Sequence, residues 1–203
     1  MTDTHHEEHA EVAGLVLAAG GGRRLGGRPK ALLEHRGRPL VEHAVGVLRA
    51  AGCRRIHVVL GARADEVRAR AELSGCVLVD NPGWAEGMGS SLRAGLDSLG
   101  GTGARAALVS LVDQPGIGAA AAARVLDAHE DEKSLVSAAY AGVRGHPVLF
   151  GSAHWAGIAR TATGDRGARA YLREHESELR LVECADVAEP YDIDTEADLR
   201  HLE

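Results

Sequence analysis

The residues with the clearest chemical capability lie between Leu17 and Lys30, a stretch that reads LAAGGGRRLGGRPK. Its five glycines allow backbone N–H groups to approach a ligand closely, and its three arginines and one lysine add positive charge round the same turn. Backbone N–H dipoles and guanidinium groups together stabilise the charge of a polyphosphate at short range. The stretch is therefore predicted to be a phosphate-binding loop.

Two common phosphate-binding motifs do not fit this loop. A Walker loop has a lysine and then a serine or threonine directly after its last glycine, whereas Gly27 is followed by Arg-Pro-Lys. A dinucleotide-binding fingerprint has a third glycine where this chain has Leu25, and an acidic residue about twenty positions further on at a strand end. Only Glu42 occurs there, inside a predicted helix, so both motifs are excluded.

A second polar loop runs from Asn81 to Ser91 and leads into a predicted helix with leucines on one face. Gly89, Ser90 and Ser91 are then at the helix N-terminus, where free N–H groups and hydroxyls can bind a base or an anion. An ordinary serine cap after a glycine-rich turn explains the same residues.

Carboxylates are the third chemical feature. Asp113 follows an apolar run, and a carboxylate at the end of a buried strand suits magnesium, which takes one or two carboxylates together with substrate phosphates. Far along the chain, an extended segment would put Asp192 and Asp194 on one side and turn Ile193 inward. The alternatives are that Asp113 forms a turn or caps a helix, and that Asp194 or Thr195 caps a final helix over residues 196–202; for Thr195 the cap is preferred.

Basic residues in two later segments could grip a second substrate. Arg144 and His146 occur in a short turn before an apolar strand, and Arg166 and Arg169 lie near the start of a helix. Guanidinium groups bind phosphate well, so these four residues are candidates for an acceptor site. Arginine and glycine are also common in solubilising surface loops, which is the alternative.

Apolar runs alternate with helix-like stretches along the chain, which predicts an α/β fold: a mostly parallel twisted sheet with helices on both faces and one antiparallel strand. The antiparallel strand is expected because the connection between Tyr140 and Pro147 is too short for a crossover helix. Ligands of such sheets bind beyond the carboxyl ends of the strands. The predicted strands are 14–19, 56–60, 77–79, 106–112, 134–140, 147–150 and 179–184, and the clearest helices are 40–51 and 62–73.

Charge and composition limit the partners. The formal net charge is −6, yet residues 21–38 hold six Lys or Arg against one Glu, a local positive charge that suits a small anion better than a nucleic acid.

No apolar run approaches the ~18 residues that a membrane helix needs, and no signal peptide is recognised, so a cytoplasmic protein without membrane contact is expected. The three cysteines are expected to be reduced and buried. One domain is predicted at residues 13–203, after a polar leader at residues 1–12. Histidines 5, 6 and 9 of this leader could bind a metal, but solvated side chains are the preferred interpretation.

The signature Leu-Ala-Ala-Gly-x-x-x-Arg-x-Gly followed by Pro-Lys, together with the segments above in this order, resembles the MobA-like and MocA-like nucleotidyltransferases of molybdenum cofactor synthesis. The resemblance implies a Rossmann-like three-layer nucleotidyltransferase domain that uses Mg²⁺, with Mn²⁺ as a possible substitute. It implies catalytic roles for Arg23, Lys30 and Asp113, and a metal held by Asp113 with Asp192 or Asp194. Nucleotide contacts are expected from Leu17, Ala18, Ala19, Gly20, Gly21, Gly22, Arg23, Lys30, Gly61, Asn81, Gly89, Ser90 and Ser91, and acceptor contacts from Arg144, His146, Arg166 and Arg169.

The resemblance also implies a reaction: transfer of CMP from CTP to molybdopterin, with release of pyrophosphate. Leu-Ala-Ala-Gly and Val-Asp-Gln-Pro look like the cytidylyl branch, whereas Leu-Ala-Gly-Gly and Cys-Asp-x-Pro are typical of guanylyl transfer. Guanylyl transfer, nucleotidyl transfer to another acceptor such as a sugar phosphate, and a carrier that holds nucleotide or cofactor without catalysis remain open. The expected partners are an NTP and a phosphorylated acceptor, and a client molybdoenzyme or its chaperone would receive the product.

Overall fold

The computed structural model describes residues 12–202. The polar leader therefore lies outside the described residues apart from Val12, which already belongs to the first strand. Within residues 12–202 no helix is both long and apolar enough to cross a membrane.

The centre of the molecule is a seven-stranded sheet with the order β5-β4-β1-β6-β8-β7-β9. Most of these strands contain a short apolar run, and β1 and β4 are buried along their whole length, as expected of parallel strands covered on both faces. A separate antiparallel pair, β2 with β3, precedes the first helix. The strands are β1 Val12–Leu17, β2 Glu34–His35, β3 Arg38–Pro39, β4 Ile56–Leu60, β5 Val77–Asp80, β6 Ala106–Leu111, β7 Leu135–Tyr140, β8 Val143–Gly151 and β9 Arg180–Glu183.

Helices cover both faces of the sheet, which gives three layers. The first, second and fourth helices pack with one buried cluster, and the third, fifth and sixth pack with the cluster on the opposite face. Their apolar side chains recur at helical spacing, so each helix buries one stripe against the strands. The helices are α1 Leu40–Ala51, α2 Ala64–Arg70, α3 Met88–Ser98, α4 Ala119–Asp127, α5 Ser152–Thr161 and α6 Arg169–Glu174.

The predicted fold is confirmed, including the antiparallel member. β8 pairs antiparallel with both β6 and β7, while β7 and β9 run parallel to each other. A two-residue turn joins β7 to β8, which inserts the returning strand between β6 and β7. The β2–β3 pair was not predicted, because two-residue strands are too short to show a hydrophobic period.

The topology creates a crevice between β1 and β6. From β1 the chain moves to β4 and β5 on one side through α1 and α2, then returns to β6 on the other side through α3. The crossovers leave in opposite directions, so the loops after β1 and β6 separate and open a cleft beyond the strand ends. The amide of Val112 donates to the carbonyl of Leu17 at 3.2 Å, which holds the two strand ends together at the base of this cleft.

Several local expectations are corrected. Arg144 and His146 do not lie in a turn before a strand; both belong to β8, at the place where its pairing with β7 is irregular. The final helix over Glu196–Leu202 is of the 3₁₀ type, and Thr195 donates its hydroxyl to Asp198 instead of capping helix amides. Cys76 is partly exposed, although all three cysteines are free as expected.

Candidate active site

A cavity of about 1060 Å³ opens at the carboxyl ends of β1 and β6. This volume is at the upper end of the roughly 300–1,000 Å³ range of ligand pockets, so there is room for two bound molecules. Strand order sets the layout: the glycine loop follows β1, Asp113 follows β6, and the first residues of β8 form the wall beyond them. Predicted site residues that line the cavity are Leu17, Ala19, Gly20, Gly21, Gly22, Arg23, Lys30, Ser91, Asp113, Arg144, His146, Arg166, Arg169, Asp192 and Asp194.

The glycine loop turns sharply at Gly22, which adopts a left-handed conformation with φ of 58°. A Cβ atom at this position would lie 1.9 Å from the carbonyl oxygen of Arg28, so only glycine fits. The Gly22 carbonyl accepts hydrogen bonds from the amides of Leu25 and Gly27, which closes the turn. The turn leaves Arg23 exposed beside the cavity, where its guanidinium can meet an anionic ligand.

Lys30 is the centre of the site. Its Nζ lies 2.6 Å from Asp113 Oδ2 and 2.5 Å from Asp194 Oδ1, so one ammonium joins two carboxylates that are far apart in sequence. The side chains of Lys30 and Asp113 are only 14% and 19% exposed. Burial alone would lower the pKa of Lys30, but the two carboxylates outweigh it and raise the pKa above its ordinary value. Lys30 therefore stays positively charged at neutral pH.

Asp192 has a different partner. Ile193 is fully buried and its amide donates to the carbonyl of Asp113 at 2.9 Å, which fixes this segment to the end of β6. Asp192 Oδ1 accepts a hydrogen bond of 2.8 Å from Gln114 Nε2. Burial of the carboxylate raises the pKa of Asp192, and the nearby charges of Asp113 and Asp194 act in the same direction.

The Asn81–Ser91 loop is held mainly by its own hydrogen bonds. Asn81 Nδ2 donates to Ser90 Oγ at 2.9 Å and to Ser91 Oγ at 3.0 Å, and Asn81 Oδ1 accepts from the amide of Gly83. Ser90 donates onward to backbone carbonyls, and a Cβ at Gly89 would clash with the backbone of the α5–α6 connection. Of these predicted nucleotide contacts only Ser91 lines the cavity, whereas Asn81, Gly89 and Ser90 shape the loop.

An aromatic residue forms the adjoining wall. A Cβ at Gly61 would lie 2.5 Å from Trp84 Cβ and 2.8 Å from Ala19 Cβ, and one at Gly21 would lie 2.9 Å from the indole ring. Because Gly61 has no side chain, Trp84 can pack against the glycine loop. Neither Gly61 nor Ala18 lines the cavity. Trp84 was not singled out in the sequence, although it is one of only two tryptophans in the chain.

The β8 side of the cavity is basic. Arg144 and His146 share it with Arg166, which ends a 3₁₀ turn, and with Arg169, the first residue of α6. Burial lowers the pKa of His146 to about 4, and the charge of Arg169 adds to the effect. His146 is consequently a neutral hydrogen-bonding group at pH 7, and the positive charge on this side comes from the arginines.

Comparison with known proteins agrees with this geometry. Residues 14–179 match the family model of the MobA-like NTP transferase domain. The chain belongs to this family. The transferase is 42% identical over 191 residues to nicotine blue oxidoreductase of Paenarthrobacter nicotinovorans, covering 91% of this chain and 92% of that protein. It is 32% identical over 184 residues to molybdenum cofactor guanylyltransferase of Rhodobacter capsulatus, covering 89% and 85% respectively.

A solved structure extends the comparison. The manganese complex of Rv0371c from Mycobacterium tuberculosis H37Rv superposes with a TM-score of 0.74 and 29% identity, covering 95% of this chain and 97% of that one. The predicted family is confirmed, and the chain is a nucleotidyltransferase of the MobA-like type. Its family acts on nucleoside triphosphates and a phosphorylated acceptor.

The donor groups of the transferase fit a divalent cation shared with substrate. Asp113 and Asp194 already offer oxygens to one cation, the ammonium of Lys30, so this pair of carboxylates faces a positive charge. Within residues 12–202 no group of three or more His, Cys, Asp or Glu side chains forms a complete metal centre. Among the described residues the three predicted aspartates thus do not form a metal centre by themselves, whereas Mg²⁺ sites in proteins commonly use one or two carboxylates and complete the shell with waters and substrate phosphates.

The partly buried imidazole of His146 yields a pH prediction. Because the pKa of His146 falls from 6.5 to about 4 on folding, the unfolded chain binds the proton more readily, and stability is lost as the pH falls from about 6.5 to 4. We expect His146→Gln to show a smaller loss of unfolding free energy over this range, measured by chemical denaturation at pH 7, 6, 5 and 4.5. Identical pH dependence in both proteins, or an imidazole NMR titration with its midpoint near 6.5, would contradict the assignment.

Proposed function

We propose that the protein transfers CMP from CTP to a phosphate-bearing pterin, molybdopterin, and releases pyrophosphate. The observation that carries this proposal is the single cavity that holds the glycine loop, the Lys30–Asp113–Asp194 cluster and the basic β8 wall. A transfer reaction needs a site for the nucleotide donor, a site for the anionic acceptor and charged groups between them, and the three features supply these side by side.

The chemistry follows from the charges that must meet. An oxygen of the acceptor phosphate forms a bond to the α-phosphorus of CTP while the bond between that phosphorus and the oxygen leading to the β-phosphate breaks. The acceptor phosphate is already ionised at neutral pH, so no general base is needed to remove a proton. The protein has to bring two anions together and stabilise the negative charge that grows on pyrophosphate.

The glycine loop and Lys30 meet the first of these requirements. Amides of the loop and the Arg23 guanidinium bind the β- and γ-phosphates, and Lys30 neutralises charge near the reacting phosphorus. Asp113, together with Asp192 or Asp194, would hold the divalent cation, whose positive charge, when bound, offsets that of the phosphates. As Lys30 already contacts Asp113 and Asp194, it has to share Asp113 with the metal.

The close packing of residues beside the glycine loop favours CTP over GTP as the nucleotide donor. Ala19, Gly61 and Trp84 pack without space between them, and Ala19 stands where Leu-Ala-Gly-Gly sequences have glycine. An extra methyl group there narrows the side of the cavity next to the nucleotide loop, which fits a one-ring base better than a purine. The similarity to a guanylyltransferase keeps GTP as the competing donor.

The basic β8 wall supports a phosphorylated acceptor. Arg144, Arg166 and Arg169 offer several donors for a phosphate group, and neutral His146 can donate to or accept from a ring heteroatom. A client molybdoenzyme or its chaperone is the natural receiver of the product. The same wall also suits a sugar phosphate, so the acceptor has to be identified by experiment.

Removing Lys30 tests its role in the reaction. We expect Lys30→Ala to lower turnover by roughly 10²- to 10³-fold, the scale of losing one preorganised charge contact to the transition state. Steady-state pyrophosphate release measures the effect, with thermal denaturation as a check on folding. Lys133→Ala is the matched control, because Lys133 is the other lysine of the chain and is exposed outside the cavity. A loss below threefold for Lys30→Ala would remove this residue from the mechanism.

A substrate matrix tests the proposed reaction. Each of CTP, GTP, ATP and UTP is incubated with Mg²⁺ or Mn²⁺ and with molybdopterin, a sugar 1-phosphate or no acceptor, and pyrophosphate is measured. We expect release with CTP and molybdopterin at least tenfold above every other pair. Release chiefly with GTP would replace the donor, and release chiefly with the sugar phosphate would replace the acceptor. A protein that binds CTP but releases no pyrophosphate with any pair is a carrier.

A second candidate function is the reduction of a pigment, which the 42% identity to nicotine blue oxidoreductase favours. Such a reaction transfers two electrons and needs a donor such as a nicotinamide dinucleotide, which would be oxidised. The dinucleotide fingerprint is absent from the glycine loop, since its third glycine is replaced by the fully buried Leu25. Anaerobic mixing of the protein with nicotine blue and NADH or NADPH decides the question: bleaching of the pigment at a rate proportional to protein supports the second function, and no bleaching excludes it.

A further inference from the structure

Gln114 is the only glutamine among 203 residues, and it directly follows Asp113 at the end of β6. Its amide nitrogen donates to Asp192 at 2.8 Å. Because a carboxylate can only accept, this hydrogen bond fixes which amide atom faces Asp192 and turns Oε1 the other way. Oε1 is buried and has no hydrogen-bond partner among the described residues.

A second, much smaller cavity lies behind the active site. Its volume is about 10 Å³, close to the space that one water molecule needs. Its polar wall comes from Gln114, His43, Ser110 and His146, and the rest of the lining is apolar. Gln114 and His146 also line the large cavity, so the two cavities are neighbours that share these side chains.

We propose that Gln114 is a positioning residue that orients Asp192 for the divalent cation, and that one buried water in the small cavity fixes Gln114 by donating to its Oε1. The proposal rests on the proposed function. Gln114 is not itself a metal ligand in this proposal and would act on the metal only through Asp192. Carboxylates that bind metals are commonly oriented by a hydrogen-bond donor from a neighbouring side chain. The second acceptor of the water is the His146 or His43 ring, both of which face the same space.

This arrangement gives the unpartnered amide oxygen a role. A buried oxygen without a donor destabilises the folded protein, whereas a water with two or more polar neighbours satisfies it. With both amide atoms engaged, the Gln114 side chain cannot rotate without breaking a hydrogen bond on each side. Asp192 is then held apart from Lys30, which contacts Asp113 and Asp194 instead.

Metal binding tests the positioning role without any catalytic turnover. We expect Gln114→Met, which keeps the length of the side chain but removes both amide atoms, to weaken Mn²⁺ binding by roughly 10- to 100-fold, measured by EPR titration with Mn²⁺ alone. In an Asp192→Asn background the same substitution should have no further effect, because Gln114 acts through Asp192. A loss below threefold, or losses that multiply in the double variant, would overturn the proposal.

A crystal structure at better than about 1.5 Å resolution supplies the second readout. Thermal denaturation of each variant checks that it folds. We expect a water within hydrogen-bond distance of Gln114 Oε1 in the parent protein, and a reoriented Asp192 in Gln114→Met. A dry cavity, or an unmoved Asp192, contradicts the proposal. These readouts do not require pyrophosphate release, so failure of the proposed reaction is recognised separately by the substrate matrix.

Discussion

The site depends on one interaction, the ammonium of Lys30 held between Asp113 and Asp194. Two carboxylates at this distance repel each other, and a cation between them is needed for both to remain ionised and close. Asp113 follows β6 and Asp194 lies near the end of the chain, so the ammonium also joins the C-terminal segment to the centre of the sheet.

Topology explains why these residues meet. The chain leaves β1 towards one edge of the sheet and returns to β6 from the other direction, and the resulting cleft receives the glycine loop and Asp113 together. The antiparallel β8 then directs its first residues towards the same end of the sheet as the carboxyl ends of β1 and β6. A mixed sheet therefore brings the glycine loop and the basic first residues of β8 to one end of the strands, with Asp113 between them.

Much of the fold could be predicted from the sequence, because buried parallel strands are continuous apolar runs and the turns between them are rich in glycine. Residues that face the cavity were identified where the chemistry requires a particular side chain, as at Lys30 and Asp113. The sequence could not show which way a polar group points. Asn81 and Ser90 carry side chains of a kind that can bind ligands, but Asn81 donates a hydrogen bond to Ser90 instead. Trp84 and Gln114 were missed as site residues because their contacts come from distant parts of the chain.

The most direct measurement is a crystal structure with Mn²⁺ and a non-hydrolysable CTP analogue, using the anomalous signal of manganese to locate the ion. We expect an ion bound by Asp113 together with Asp192 or Asp194, the triphosphate against the amides of Gly20 to Gly22, and Lys30 moved towards the phosphates. A nucleotide bound outside this cavity, or manganese bound away from these three aspartates, would contradict the proposed site.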